Sequence, residues 1–429
     1  MRPTPNERES MAKFLIEGGA PLTGEIDVEA NKNAVLPMMA ACLLTDDTCV
    51  LSNVPQIVDV AIMSSILREM GASIEELEDD RLRITCATVT SFHPPIHLVE
   101  RLRASIVLMG PLLARFGRAD MHHPGGDAIG TRSIGTHILA LESLGARFDN
   151  DADTYRGTLV PARGDCRIFL DEASVTATEN AMLLAAAQPR VTEIRNAACE
   201  PHVTNLAQFL ETMGASVDGA GSNVIRIEGS APLRGACGAV WPDHVEAGTF
   251  AALAAACKGD VTIRNVVPEH LEMLLYVLDR MGVDFQIGEN TMRVKPSNLK
   301  AMSKIQTGVW PAFPTDLASI FIVLATQAEG MTLVHDWMYE GRMFFVDRLV
   351  QMGAHIVLAD PHRAVISGPS ILRGGNFPSP DIRAGIALVM AALIAEGKSE
   401  LEHIELIDRG YERIDERLRA LGARIERTA

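Results

Sequence analysis

Met70-Gly71-Ala72-Ser73-Ile74-Glu75 ends an amphipathic helix, turns on a glycine and enters a strand, and five more copies of this pattern occur along the chain. They are Leu144-Gly145-Ala146, Met213-Gly214-Ala215, Met281-Gly282-Val283, Met352-Gly353-Ala354 and Leu421-Gly422-Ala423, roughly 70 residues apart. The residue just past a helix C-terminus takes the left-handed conformation, which glycine enters without a Cβ clash. The residues after each glycine are strand-like, as in Arg147-Phe148-Asp149, Ser216-Val217-Asp218 and His355-Ile356-Val357. Each unit also opens with a second helix, apolar nearly all round. These run from Lys32 to Leu44, Arg103 to Phe116, Glu179 to Ala187, Val245 to Cys257, Thr315 to Ala325 and Ile382 to Ala395. A helix without a polar face belongs in an interior. Short strands such as Thr48-Cys49-Val50-Leu51 and Val261-Thr262-Ile263 separate the two helices of a unit. The expectation is an α/β protein of six repeated units, packed as two lobes with buried helices and outer sheets.

A ring-shaped DNA clamp also assembles six α/β units, but its inner helices must carry Lys and Arg along their length. Here those helices are Ala, Leu, Met and Val. The net charge of −16 over 429 residues also argues against nucleic acid or an anionic membrane as partner. With 47% hydrophobic residues the chain can fill two cores. Seven scattered cysteines, an odd number with no CxxC spacing, read as free thiols without a zinc site. The polar first ten residues lack the apolar core of a secretory signal, and runs such as Ala34 to Leu44 are too short to span a bilayer. A soluble, cytoplasmic protein is expected.

Chemistry enters at the first turns of the apolar helices. Helix N-termini favour Asp, Glu, Ser or Thr, yet Lys32, Arg103 and Arg383 stand there. Cations combined with free helix N–H groups make sites for phosphate or carboxylate. Glu179, Glu246 and Asp316 occupy the corresponding starts of other units. Ordinary first-turn charge is enough to explain Glu179 and Glu246. Asp316, after Phe313-Pro314-Thr315, reads either as a cap or as a general base. The run Pro124-Gly125-Gly126-Asp127-Ala128-Ile129-Gly130-Thr131-Arg132 reads either as a surface turn or as a mobile lid carrying an acid and an anion-binding Arg. Ile407-Asp408-Arg409-Gly410-Tyr411-Glu412-Arg413 reads, in isolation, as a solvated charged loop. The His122-His123 pair has no acidic partners at metal-ligand spacing.

Taken together, these segments resemble the UDP-N-acetylglucosamine 1-carboxyvinyltransferase family over nearly the whole chain, from about Phe14 to Arg427. The resemblance rests on Lys32-Asn33-Ala34, Arg103-Ala104-Ser105, Pro124-Gly125-Gly126 with Gly130 and Arg132, Phe313-Pro314-Thr315-Asp316, and the run from Asp408 to Arg413. The sister family acting on shikimate 3-phosphate shares the architecture, but its Gly-Ser-Lys-Ser and Asn-Ala-Gly-Thr runs are missing here. The resemblance implies a two-lobed inverted α/β barrel of the enolpyruvyl transferase type that closes on its substrates. One lobe would hold residues 1–33 and 242–429, the other 34–241. It implies that a hydroxyl of a sugar nucleotide adds to the central carbon of phosphoenolpyruvate while the methylene carbon is protonated, and that the tetrahedral intermediate then loses phosphate. Lys32, Arg132 and Arg409 would hold the phosphate, and Arg342 and Arg383 the carboxylate. Asn33 would contact the sugar, Asp316 would take the hydroxyl proton, and Asp127 would sit in the lid at the proton-donor position. Arg103, Arg132 with Ser133, Ile134, Gly135 and Thr136, Ser174 with Val175, and Asp381 would line the substrate site. No metal or organic cofactor is implied.

Several positions depart from the family pattern. Asp127 stands where most members carry Cys, which implies insensitivity to the thiol-alkylating epoxide fosfomycin. Glu172 replaces a Lys beside the diphosphate, His244 an Arg, Gly135 an Asp that helps hold the uracil, Thr176 a Gly, and Gly341 an Asn. These departures leave open an acceptor other than UDP-N-acetylglucosamine.

Overall fold

The computed structural model describes residues 12–428, apart from 127–128, 131, 151–152 and 161–163. The six expected apolar helices form, with adjusted ends. Lys32–Ala41 and His244–Ala256 are α-helical, as are Val175–Ala186 and Ile382–Ile394. Two others begin as 3-10 turns, Arg103–Leu108 leading into Met109–Phe116 and Thr315–Leu317 leading into Ala318–Ala325. All thirteen residues of His244–Ala256 are buried, as are all eight of Ala318–Ala325. The absence of a polar face therefore reported burial correctly.

The six repeat glycines have φ between +74° and +114°. At five of them the residue after the glycine donates its N–H five positions back, as Ala72 does to Leu67 at 2.9 Å and Ala215 to Leu210 at 3.1 Å. That is the Schellman closure, which satisfies a carbonyl the helix end would otherwise strand.

The chain divides into two compact units. The first comprises residues 1–29, 128–131 and 242–429, and the second 30–127 and 132–241. Lys32 and Asn33 thus fall in the second unit. Each unit has its own hydrophobic core and three of the apolar helices.

Five of the six sheets among the described residues share one plan: an edge strand parallel to its neighbour, then two antiparallel strands. In the first unit Thr23–Asp27 lies parallel to Asp260–Arg264, which pairs with Thr291–Lys295 and then Asp284–Ile287. In the second, Cys237–Ala239 lies parallel to Thr48–Ser52. The edge strand therefore comes from a segment remote in sequence in both sheets, and in the first unit the intervening chain forms most of the second unit before it returns at residue 242. At the switch, Asp243 N–H donates to Glu29 C=O at 2.8 Å within the first unit, and Asn31 N–H to Trp241 C=O at 2.8 Å within the second. In the first unit the N-terminal strand Lys13–Glu17 fills a sheet between Lys398–Glu402 and Arg424–Thr428.

Candidate active site

In the first unit, helix starts deliver one carboxylate to two buried cations. Asp316 sits in the 3-10 turn Thr315–Leu317, and Arg383 is the second residue of Ile382–Ile394. Arg383 tolerates the cation-unfavourable helix end because the capping Asp381 accepts its backbone N–H at 2.8 Å and that of Ala384 at 3.0 Å. Arg342 comes after the strand Gly330–His335. Arg342 Nη2 reaches Asp316 Oδ1 at 3.0 Å, and Arg383 Nη2 reaches Asp316 Oδ2 at 2.9 Å. The arginine side chains are 2% and 6% exposed, whereas that of Asp316 is 27% exposed.

Buried neighbours complete the cluster. Arg383 Nη1 donates to Tyr411 Oη at 3.0 Å, and Tyr411 Oη meets Thr249 Oγ1 at 3.0 Å. Because Thr249 already donates to Val245 C=O at 2.9 Å, the Tyr411 hydroxyl proton points to Thr249. The fully buried Asp336 accepts from Thr307 Oγ1 at 3.0 Å and from Thr315 Oγ1, so it fixes the turn that carries Asp316. Arg342 Nε lies 4.0 Å from Asp336 and is buried without a hydrogen bond. Burial works against the Arg383 charge, but Asp316, then Tyr411 and Asp243, hold its pKa well above the usual range. Burial also lowers His244 to about 4 despite Asp316, so the imidazole is neutral, edge-on to Trp310 at 5.3 Å. Neutrality explains how His244 is housed where the family pattern has a cation.

In the second unit, Lys32 opens the helix Lys32–Ala41 and its Nζ lies 3.2 Å from the buried Asp59 carboxylate, while Asn31 caps the helix through Asn33 N–H at 2.8 Å. Arg103 Nη2 donates to Arg132 C=O at 2.5 Å and Nη1 to Pro124 C=O at 3.4 Å. Pro124 and Arg132 are thus held by Arg103, and a Cβ at Gly126 would come within 2.7 Å of the Arg103 Cβ. Ser133 Oγ accepts Gly135 N–H at 3.0 Å, and Thr136 Oγ1 donates to Asp171 at 2.7 Å, which sets the entrance to the helix Gly135–Ser143. Ile134 is buried beside them. Ser174 caps Val175–Ala186.

Behind that cap, Asn180 accepts Gly110 N–H at 2.8 Å and donates to Ile106 C=O at 2.8 Å, which fixes its amide. Its Nδ2 therefore also donates to His137 Nδ1 at 2.9 Å, so His137 Nε2–H donates to Thr176 Oγ1 at 3.0 Å. Burial, then the Arg103 charge, lowers His137 to about 3. Thr176, a departure from the family pattern, is thus seated by a neutral histidine.

Some sequence expectations are corrected. Glu179 is not in a first turn, because its helix begins at Val175. It is buried, its Oε1 lacks a hydrogen bond, and burial, then Glu200, raises its pKa well above the usual range. The run from Ile407 to Arg413 is no solvated loop: Ile407, Tyr411 and Glu412 are buried, and Asp408 is engaged by Arg427 at 2.8 Å. Arg409 lies in the turn after Ile404–Leu406. Asp127 lies outside the described residues. His122 stands near Glu100 at 3.6 Å, and His123 bonds Tyr155 at 3.0 Å. No group of three or more potential ligands suited to a metal occurs among the described residues.

Gly341, another departure, donates its N–H to Ile129 C=O at 2.9 Å within the first unit, and a Cβ there would come 2.7 Å from Ile129 C. Glu172 is exposed. The sequence did not point to Asp336, Thr249, Asp59 or the His137–Asn180 pair. All are single polar residues in apolar or unremarkable contexts, and nothing local marks them.

Comparison with known proteins gives a consistent result. Residues 16–418 match the sequence profile of the family described as EPSP synthase (3-phosphoshikimate 1-carboxyvinyltransferase). The chain is 46% identical over 425 residues to the UDP-N-acetylglucosamine 1-carboxyvinyltransferase of Bradyrhizobium diazoefficiens, covering 97% of this chain and 98% of that one. It is 43% identical to the protein of the same name from Treponema denticola, covering 97% and 99%. Among solved structures, the enolpyruvyl transferase NikO from Streptomyces tendae superposes with a TM-score of 0.88 at 23% identity, covering 97% of this chain and 99% of that one. EPSP synthase from Acinetobacter baumannii gives 0.74 at 19%, covering 97% and 100%. These two likenesses concern the fold.

Proposed function

The chain belongs to the enolpyruvyl transferase family that includes EPSP synthase, and we propose that it transfers the enolpyruvyl group of phosphoenolpyruvate to the 3-hydroxyl of UDP-N-acetylglucosamine with release of phosphate, the first committed step of peptidoglycan synthesis. The observation that carries this reading is full-length identity of 46% and 43% to proteins named for that reaction. The pairing of Arg342 and Arg383 around a single carboxylate supports it, since two guanidiniums set to grip a planar anion suit the carboxylate of phosphoenolpyruvate.

Within the first unit, Arg342 and Arg383 bind that carboxylate, Asp316 takes the proton of the attacking hydroxyl, Arg409 holds phosphate, and Asp381 aligns Arg383. Within the second, Lys32 and Arg132 hold phosphate, Asn33 contacts the sugar, and Arg103, Ser133, Ile134, Gly135, Thr136, Ser174 and Val175 receive the sugar nucleotide. Asp127 supplies the proton to the methylene carbon. Fixed cations stabilise the charge that shifts onto phosphate and carboxylate in the transition state, with no reorganisation at the moment of reaction.

No helix among the described residues is long and apolar enough to cross a membrane. Seven cysteines outside any disulfide support a reducing, cytoplasmic setting.

The test is phosphate release from phosphoenolpyruvate with UDP-N-acetylglucosamine as acceptor and Asp316→Ala as control. Release requiring both substrates and Asp316 is expected. Phosphoenolpyruvate binding without turnover would instead favour another nucleotide acceptor, the reading prompted by Glu172 and by the neutral His244.

A further inference from the structure

We infer that Asp316 serves, before substrate arrives, as an internal stand-in for the substrate carboxylate, and that phosphoenolpyruvate displaces it from Arg342 and Arg383, so that carboxylate binding itself releases the base. This rests on the proposed function and concerns the same site.

The geometry is that of an occupied anion clamp. Each Asp316 oxygen takes one guanidinium, at 3.0 and 2.9 Å. The remainder of the clamp stays anchored without Asp316: Tyr411 holds Arg383 Nη1 at 3.0 Å, and Arg342 lies against the buried Asp336. Asp316 is the exposed member of the cluster, so it occupies the face that an incoming anion reaches. Arg342 Nε has no acceptor in this state, which leaves a donor for a ligand to satisfy.

Charge makes the exchange directional. Arg342 and Arg383 already face the carboxylates of Asp316 and Asp336, and Asp243 acts on Arg383 as well. Phosphoenolpyruvate brings a further carboxylate, and the two guanidiniums cannot pair with all of them. Asp336 is fully buried and tied to two threonine hydroxyls, whereas the partly exposed Asp316 can swing outward. The displaced Asp316 has lost both guanidinium hydrogen bonds, and a carboxylate released from such bonds accepts a proton more readily. The acceptor O–H proton moves to Asp316 as the oxygen lone pair bonds the central carbon, and the alkene π pair takes a proton at the methylene carbon from the general acid. A base masked until phosphoenolpyruvate is seated would not deprotonate the acceptor unproductively.

The experiment is titration calorimetry of phosphoenolpyruvate against the wild-type chain, Asp316→Asn and Asp316→Ala, with a crystal structure of the wild-type binary complex. Removing the internal competitor returns the clamp to its vacant state, so affinity should rise about tenfold or more in both variants while turnover collapses. In the crystal, both arginines should contact the ligand carboxylate, with Asp316 beyond hydrogen-bond distance of them. Unchanged or weaker binding in the variants would overturn the exchange, as would a complex in which Asp316 keeps both arginines. The wild-type crystal decides the matter even if neither variant folds. Failure of the wild-type chain to bind phosphoenolpyruvate at all would overturn the functional reading itself, and the exchange with it.

Discussion

Replacing Tyr411 with Phe removes one oxygen atom from the interior of the first unit and tests how the carboxylate clamp is held. The side chain is 1% exposed, and its hydroxyl lies 3.0 Å from both Arg383 Nη1 and Thr249 Oγ1. The ring itself remains, so packing is preserved and the loss is confined to hydrogen bonds. The bond to Arg383 is charge-assisted, and losing such a bond costs about 1.5–3 kcal/mol. The guanidinium stays buried with fewer acceptors, so little of that is recovered through solvation. Unfolding in urea should show a stability loss of this size as a lower midpoint with an unchanged slope. In kinetics, a looser Arg383 should raise KM for phosphoenolpyruvate by about tenfold, with a smaller effect on KM for the nucleotide. A double-mutant cycle with Thr249→Val should show coupling of about 0.5 kcal/mol or more, since both residues belong to one chain of donors. A Tyr411→Phe protein with wild-type stability and wild-type KM would refute the view that this hydroxyl anchors Arg383.

Acid should destabilise the fold through its buried histidines. His244 and His137 have an ordinary pKa of 6.5 and folded values of about 4 and about 3. Below pH 6.5 the unfolded chain therefore takes up protons that the folded chain refuses. The stabilisation is complete above that value and falls as the pH drops toward the folded values, by an amount on the order of a few kcal/mol. Urea midpoints measured from pH 7 to 4 should decline less steeply for His244→Gln than for the wild-type chain. Two glycines should separate strain from collision. A Cβ at Gly214, with φ of +114°, meets nothing, so Gly214→Ala should cost about 1–2 kcal/mol of backbone strain. At Gly110 it would come 2.6 Å from Asn180 C=O, so Gly110→Ala should cost about 3 kcal/mol or more, with both read as shifts in thermal unfolding. Fosfomycin should leave the chain unmodified by intact-mass analysis, while Asp127→Cys should gain a covalent adduct.

The fold was written into the sequence because it is a matter of period and backbone conformation. Six glycines at helix ends and six helices without a polar face are local properties, and each dictated a local outcome: a left-handed turn and burial. The cations Lys32, Arg103 and Arg383 and the carboxylate Asp316 could likewise be singled out, because they violate or double the preferences of a helix start. What they contact could not be read there. Arg383 and Asp316 are 67 positions apart, Arg383 and Tyr411 28, and Lys32 and Asp59 27. No periodicity relates such distances. Glu179 looked like first-turn charge until its helix was seen to start a turn earlier, which buries it. Asp336 and the His137–Asn180 pair have no sequence signal at all, because a lone polar residue is exposed or buried according to what folds over it. Local sequence fixes where a side chain starts, whereas low dielectric and hydrogen-bond partners, which set charge and proton position, exist only once remote segments are packed together.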